Sequence, residues 1–329
     1  MPSREIRTSF VTGGTGFIGS HLVDHLIQGG CEVRCLVRDR SRLGWLQGKP
    51  VTIVEGNLDS EPAIAEAASG TDAVFHLAGV TAAGSRKEYR RVNADGCGKV
   101  AQACLAARYP PEVFIYMSSL AAVGPGRFNE LVAENRMPRP VTQYGRSKLE
   151  GERILSGMGP LPLIVVRPPA VYGPRDREIY PLFKLASKGV LPVFNPRARI
   201  SLIHVEDLVR GVVRVARKGR VGETYFLTHL EPVDASDFPL LFGNAVDRKV
   251  MALKIPGALL KTAAAACELW GRLTGNMPVF NRDKVRELVA EGWACDGEKA
   301  WRDVGFRAEQ SAAQGLLQTA GWYRDHQWL

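Results

Sequence analysis

Residues 12–19 read Thr12-Gly13-Gly14-Thr15-Gly16-Phe17-Ile18-Gly19. A short apolar run, Ser9–Thr12, leads into this stretch, and a helical pattern follows it, with Ile18, Leu22, Leu26 and Ile27 on one side and Gly29-Gly30 as its stop. Glycine at 13, 16 and 19, between a strand and a helix, predicts a dinucleotide site. Gly13 permits the tight turn, Gly16 lets a pyrophosphate approach the backbone, and Gly19 lets helix pack on strand. The free N–H groups and positive dipole end of the helix supply the anion site.

Outward from this turn, apolar runs and helical patterns alternate. Strands are predicted at Glu32–Val37, Val51–Glu55, Ala73–Leu77, Val113–Ser118 and Leu163–Arg167, with helices at Ala63–Ala68, Arg90–Ala107 and Tyr144–Leu155. The runs are continuously apolar rather than alternating, as in strands covered on both faces. The predicted class is α/β: a Rossmann-type doubly wound parallel sheet with a smaller, mostly helical C-terminal substrate lobe. The dinucleotide-binding domain is placed at 1–172, with 200–228 returning to it through Leu202–Val205, Glu206–Arg217 and Tyr225–Leu227, and the lobe at 173–329.

The end of the second strand bears on cofactor choice. NAD sites usually carry an acid there for the ribose hydroxyls. Val37 occupies that position, and Arg38, Arg40 and Arg42 follow it. Guanidinium groups suit a 2′-phosphate, which favours NADP, while Asp39 leaves NAD open.

Tyr144 and Lys148 lie four apart and share a helix face. An ammonium beside a phenol favours phenolate, so Lys148 is expected to draw the Tyr144 pKa down from about 10 and make it a general acid/base for a carbonyl or carbinol. Ser118-Ser119 closes a strand upstream and offers a hydroxyl to the substrate oxygen. Alone, each feature also has a bland reading: a structural pair, and two local turn bonds.

Together these segments resemble the extended short-chain dehydrogenases/reductases of the epimerase/dehydratase superfamily. His76-Leu77-Ala78-Gly79, Val92-Asn93, Arg167-Pro168-Pro169-Ala170-Val171-Tyr172-Gly173-Pro174 and Leu202–Leu208 extend the likeness. The resemblance implies that Tyr144 is the catalytic acid/base, Lys148 its partner and ribose ligand, and Ser119 the hydroxyl on the substrate oxygen. It implies cofactor contacts from Gly13, Thr15, Gly16, Phe17, Ile18, Gly19, Arg38, Asn57, Leu58, Leu77, Ala78, Gly79, Asn93, Tyr144, Lys148, Pro168 and Val171. Asn57 stands where the family usually has Asp.

Departures narrow the branch. Nucleotide-sugar epimerases usually carry Asn where this chain has Ala170, and Arg where it has Ile200. Sugar dehydratases add an Asp-Glu pair after a catalytic Thr; here Leu120 replaces the Thr, and Ala121 and Ala122 replace the acids. Phe114–Leu120 and Val33–Asp39 look more like the 3β-hydroxysteroid dehydrogenase and dihydroflavonol reductase branch. That branch implies hydride transfer between nicotinamide and a carbonyl or secondary alcohol of an apolar ring or lipid-like molecule. A nucleotide-sugar epimerase with tightly bound NAD is the alternative. Ile255–Trp270 is either an apolar pocket wall or an ordinary packing helix.

The remaining composition sets limits. The 329 residues are 45% hydrophobic and 23% charged, ordinary for a globular protein. None of the six cysteines forms a C-x-x-C pair, so they are expected to be reduced thiols, and no metal site is expected. His76 and His204 read as structural, and Cys97 and Cys104 as core. Trp293, Trp301, Trp322 and Trp328 are expected to anchor the C-terminal tail. Met1–Thr8 is polar, and no run of about 20 apolar residues occurs, so a cytoplasmic location is expected. The expected partners are a small-molecule substrate and a second copy in a homodimer, with no nucleic acid. Net charge is +9, and residues 175–220 hold eleven Lys/Arg against four acids. Contact of that segment with an anionic membrane surface is left open by the sequence.

Overall fold

The computed structural model describes residues 3–274 and 282–329. Its strands are β1 (Thr8–Thr12), β2 (Glu32–Val37), β3 (Val51–Glu55), β4 (Ala73–His76), β5 (Val113–Met117), β6 (Leu163–Arg167), β7 (Ala170–Tyr172), β8 (Val190–Val193), β9 (Arg199–Ile200), β10 (Leu202–His204), β11 (Thr224–Phe226), β12 (Val233–Asp234), β13 (Met251–Lys254) and β14 (Gly292–Trp293). Its α-helices are α1 (Phe17–Gln28), α2 (Glu61–Ala68), α3 (Arg86–Arg90), α4 (Gly96–Leu105), α5 (Gln143–Ser156), α6 (Tyr180–Ser187), α7 (Val205–Lys218), α8 (Phe238–Val246), α9 (Gly257–Thr274), α10 (Arg282–Leu288), α11 (Glu298–Val304) and α12 (Ala312–Asp325).

Seven parallel strands form the main sheet in the order β11-β6-β5-β4-β1-β2-β3. Successive side chains point to opposite faces, which divides the core in two. Val11, Phe75, Ile115 and Ile164 face one layer with Leu22 of α1 and Val209 and Val212 of α7. Phe10, Val74, Phe114 and Val165 face the other, with Ile64 of α2, Val100 of α4 and Leu155 of α5. Cys97 and Cys104 are fully buried in that second layer. Strands β4, β5 and β6 are buried along their whole length, which accounts for their unbroken apolar composition.

The sheet reverses its winding between β1 and β4. The chain builds β2 and β3 to one side of β1, and β4, β5, β6 and β11 to the other. Such a switch point opens a crevice at the carboxyl ends of the strands, where ligands bind in open α/β sheets. Gly13 follows β1 and Leu77–Gly79 follow β4, so both segments emerge there.

Of the 200–228 stretch, β11 forms the edge of the main sheet beside β6, and α7 covers that sheet. β10 does not join it: Leu202–His204 pairs in parallel with β7 in a separate two-stranded sheet. The second core, around Tyr172, Phe183, Phe242, Leu316 and Tyr323, unites α6, α8 and α12. Trp322 and Trp328 pack there against Tyr323, as expected of a tail anchor. Trp301 does not: it is 41% exposed beneath Arg307. Trp293 packs elsewhere, near Leu120 and Phe226. Within the Ile255–Trp270 stretch, Leu260 and Ala264 are buried against Val285 of α10, the contact of a packing helix.

Candidate active site

The glycine turn fits a pyrophosphate. Gly13 holds φ +79°, and a Cβ there would sit 2.7 Å from the Ala78 amide nitrogen. A Cβ on Gly19 would overlap the Gly13 carbonyl oxygen, so both positions require glycine. Helix α1 begins at Gly16 with no side-chain cap and no acid in its first turn. Its leading N–H groups and dipole are thus left for an anion.

Arg38, Arg40 and Arg42 separate by their partners. Arg40 donates to the Ile53 carbonyl oxygen at 3.1 Å and pairs with Glu55 at 3.3 Å. Arg42 pairs with Asp39 at 3.5 Å, and Asp39 also accepts from the Ser41 amide and hydroxyl. Arg38 is exposed and engages no partner among the described residues. Asn57 is occupied in a local turn, accepting from the Asp59 amide at 2.7 Å.

Asn93 is a brace. It lies in a π turn, Arg91–Asp95, that interrupts the helix between α3 and α4. Its Oδ1 accepts from Val80 N at 2.8 Å, and its Nδ2 donates to the Val80 carbonyl and to Ser147 Oγ, both at 2.9 Å. The loop Leu77–Val80 beside the glycine turn is thereby fixed to α5.

Helix α5 carries Tyr144 and Lys148. Thr142 caps it by accepting from Gly145 N at 3.0 Å. A Cβ at Gly145 would overlap the Ala121 carbonyl, so the glycine lets α5 sit directly on the turn Leu120–Ala122. Gly151 likewise permits a close approach, since a Cβ there would lie 2.5 Å from both Asn93 O and Tyr116 Oη. These two glycines and Asn93 hold α5, which carries Tyr144, close to the Leu120–Ala122 turn and the Leu77–Val80 loop. The glycines' signal along the chain was the small residue on the same helix as the Tyr-x-x-x-Lys pair.

The two adjacent serines divide. Buried Ser118 donates to Glu152, whose carboxylate forms a bidentate pair with Arg167 at 2.8 and 2.6 Å. Ser119 is half-buried, and it lies near enough to Tyr144 for its hydroxyl to act on the phenol, lowering its pKa. Ser119 Oγ also accepts from Ala121 N at 3.1 Å. Pro168 sits behind the serines, its carbonyl accepting from Leu120 N at 2.9 Å.

The electrostatics correct one expectation. Burial pushes the Tyr144 phenol up to about 12, against the lowering effect of Ser119. Burial outweighs any lowering by Lys148. The Lys148 ammonium donates to the Met117 carbonyl at 2.7 Å and lies over the Tyr116 ring, and its own pKa is lowered by burial to about 8. Tyr144 is therefore a neutral phenol near pH 7, a proton donor rather than a phenolate. His76 and His204 are fully buried: His76 Nδ1 bonds Thr12 Oγ1 at 2.7 Å, and His204 packs edge-on against Tyr172. Among the described residues no group of three or more metal-ligating side chains occurs.

The family model described as the NAD dependent epimerase/dehydratase family matches residues 9–227. The chain belongs to that family. Several curated relatives of the chain are named as oxidoreductases. The chain is 34% identical to the ceramide reductase of Caulobacter vibrioides, over 97% of this chain and 95% of that one. It is 29% identical to a farnesyl-dihydroquinoline-oxide ketoreductase of Stigmatella aurantiaca, over 95% and 96%. A putative dihydroflavonol 4-reductase of Synechocystis is 27% identical over 96% and 94%. Among solved folds, a dTDP-glucose 4,6-dehydratase from Streptomyces venezuelae with NAD bound superposes with TM-score 0.78 at 22% identity, over 97% of this chain and 98% of that one. The protein is thus an extended short-chain oxidoreductase of an NAD-dependent family. No dehydratase-type acid pair stands in the turn that carries Ser119: residues 120–122 are Leu-Ala-Ala, with Leu120 and Ala122 buried.

Proposed function

We propose that this family member is an NADP(H)-preferring reductase of a carbonyl on an apolar, lipid-like molecule. The observation that carries the reading is that Ser119 and Tyr144 come close enough to interact at the carboxyl ends of the central strands, beside a pyrophosphate-shaped glycine turn. Gly13, Thr15, Gly16, Phe17, Ile18 and Gly19 would hold the pyrophosphate, Leu77, Ala78, Gly79, Leu58, Pro168 and Val171 would flank the dinucleotide, and Lys148 would meet the ribose. Bound there, a nicotinamide supplies hydride-transfer chemistry. Ser119 donates a hydrogen bond that orients the substrate oxygen. Tyr144, held neutral by burial, gives its proton to that oxygen as negative charge develops on it.

NADP preference is supported by Val37 in place of an acid and by the exposed, unengaged Arg38. The lipid-like substrate is supported by relatives whose named substrates are a ceramide and a farnesylated ring. The test is NADPH-dependent reduction of long-chain and ring ketones by the purified protein and by Tyr144→Phe. The variant is expected to lose about 10²- to 10⁴-fold in kcat. Retained turnover would overturn the role of Tyr144. Purification with tightly held NAD, and a rise in Tm with UDP-sugars, would overturn the reductase reading in favour of sugar epimerisation.

A further inference from the structure

The cationic stretch 175–220 does not form one patch. Arg175 is folded inward, donating to Ser20 Oγ at 3.1 Å and pairing with Asp24 at 2.8 Å. Arg199 pairs with Asp234, Arg210 with Asp207 and Glu309, and Arg214 donates to the Val304 carbonyl. Four of the eleven cations in this stretch thus hold elements together.

A second stretch turns charge outward. Between Asp247 and Glu268, residues 248–267, RKVMALKIPGALLKTAAAAC, contain four Lys/Arg and no carboxylate. They form β13 and the first half of α9. Among the described residues β13 pairs only with β8, and all four of its residues are exposed. Met251 and Leu253, two apart and so on one side of the strand, are 67% and 55% exposed, and Leu259 is 59% exposed. Exposed edge strands are ordinarily protected by charge on the strand itself. Here the large apolar groups stand out, and the cations flank them: exposed Arg248 and Lys249 precede the strand and Lys254 ends it. Exposed Lys188 is brought to the same end, because Met251 N donates to the Gly189 carbonyl at 2.9 Å.

Exposed apolar side chains with cations at both ends of the strand match the chemistry of an anionic lipid interface. A second copy of the same patch would face cations with cations and is disfavoured. No described helix is long and apolar enough to cross a membrane, so contact would be with the surface. The patch is also one helix away from the catalytic tyrosine. Leu260 and Ala264 of α9 pack on Val285 of α10, and Asp283 of α10 accepts from the amide of Gln143, the neighbour of Tyr144, at 2.7 Å.

We propose that β13 and the start of α9 dock this enzyme on an anionic phospholipid bilayer, with Met251, Leu253 and Leu259 entering the interface and Lys188, Arg248, Lys249 and Lys254 against the headgroups. That the docking serves delivery of an apolar substrate rests on the reductase reading; the docking itself does not. The test is co-sedimentation of the full chain with phosphatidylcholine vesicles and with phosphatidylcholine–phosphatidylglycerol vesicles, at low and high salt. Binding is expected only to the anionic vesicles and weakens with salt. The Leu253→Glu/Leu259→Glu variant should bind at least about tenfold more weakly, and Lys249→Glu/Lys254→Glu likewise. Both should keep the wild-type Tm and unchanged reduction of a water-soluble ketone. Equal vesicle binding by wild type and the leucine variant would overturn the proposal. So would no vesicle binding at low salt, or a concentration-dependent dimer that the leucine variant abolishes. Loss of catalysis in Tyr144→Phe with vesicle binding intact keeps the two readings separable.

Discussion

Asn93 grips both main-chain polar atoms of Val80, accepting from its amide at 2.8 Å and donating to its carbonyl at 2.9 Å. The side chain thereby completes a backbone-like pair with a loop that lies outside the strands. With Asn93 replaced by alanine, a partly buried N–H and C=O lose their partners, at a cost of about 1–3 kcal/mol. Asn93→Ala should therefore lower Tm and raise the cofactor Kd together, whereas a purely catalytic residue would change kcat alone. Calorimetry and fluorescence titration with NADPH check this.

Arg38 differs from Arg40, which is held by Ile53 and Glu55, in having no partner among the described residues. A guanidinium–phosphate hydrogen bond contributes about 1.5–3 kcal/mol. Arg38→Ala should raise the KM for NADPH by about 10- to 100-fold and leave that for NADH nearly unchanged. Arg40→Ala should instead cost stability and spare cofactor discrimination.

Gly145 sits where a Cβ would overlap the Ala121 carbonyl. Gly145→Ala must push α5 away from the turn that carries Ser119, at about 1–3 kcal/mol. The expected result is a large fall in kcat with only a modest loss of Tm. A variant with wild-type kcat would show that the relative placement of Ser119 and Tyr144 does not depend on this close approach.

Glu152 and Arg167 form a buried bidentate ion pair, further bound by Ser118. Removing one partner leaves an uncompensated buried charge, which costs about 3–5 kcal/mol. Arg167→Met alone should unfold the protein at markedly lower urea. Arg167→Met with Glu152→Leu should recover part of that loss, because the stranded charge is gone.

Burial lowers the pKa of His21 to about 4 and of His76 to about 3, so both are neutral in the folded chain near pH 5. The unfolded chain protonates them near 6.5 and binds more protons below that pH. Their contribution to stability is complete above about pH 6.5 and is lost as pH falls toward 4. Urea midpoints measured from pH 7 to 4 should fall, and His76→Asn should flatten the slope.

The sheet and its cofactor end were legible along the chain. Continuous apolar strands and three spaced glycines are local signals, since burial on both faces and close backbone approach each dictate residue type at the position itself. Tyr144 and Lys148 were legible for the same reason, being one helical turn apart. Which of two adjacent serines stands beside Tyr144 required the folded arrangement, because Ser118 is engaged by Glu152 of α5, itself paired with Arg167 of β6. So did the protonation of Tyr144. Spacing placed Lys148 near the phenol, but burial, which is not visible along the chain, sets the charge. In the same way the +9 belonged to the sequence, while pairing across the fold determined which cations stay free at the surface.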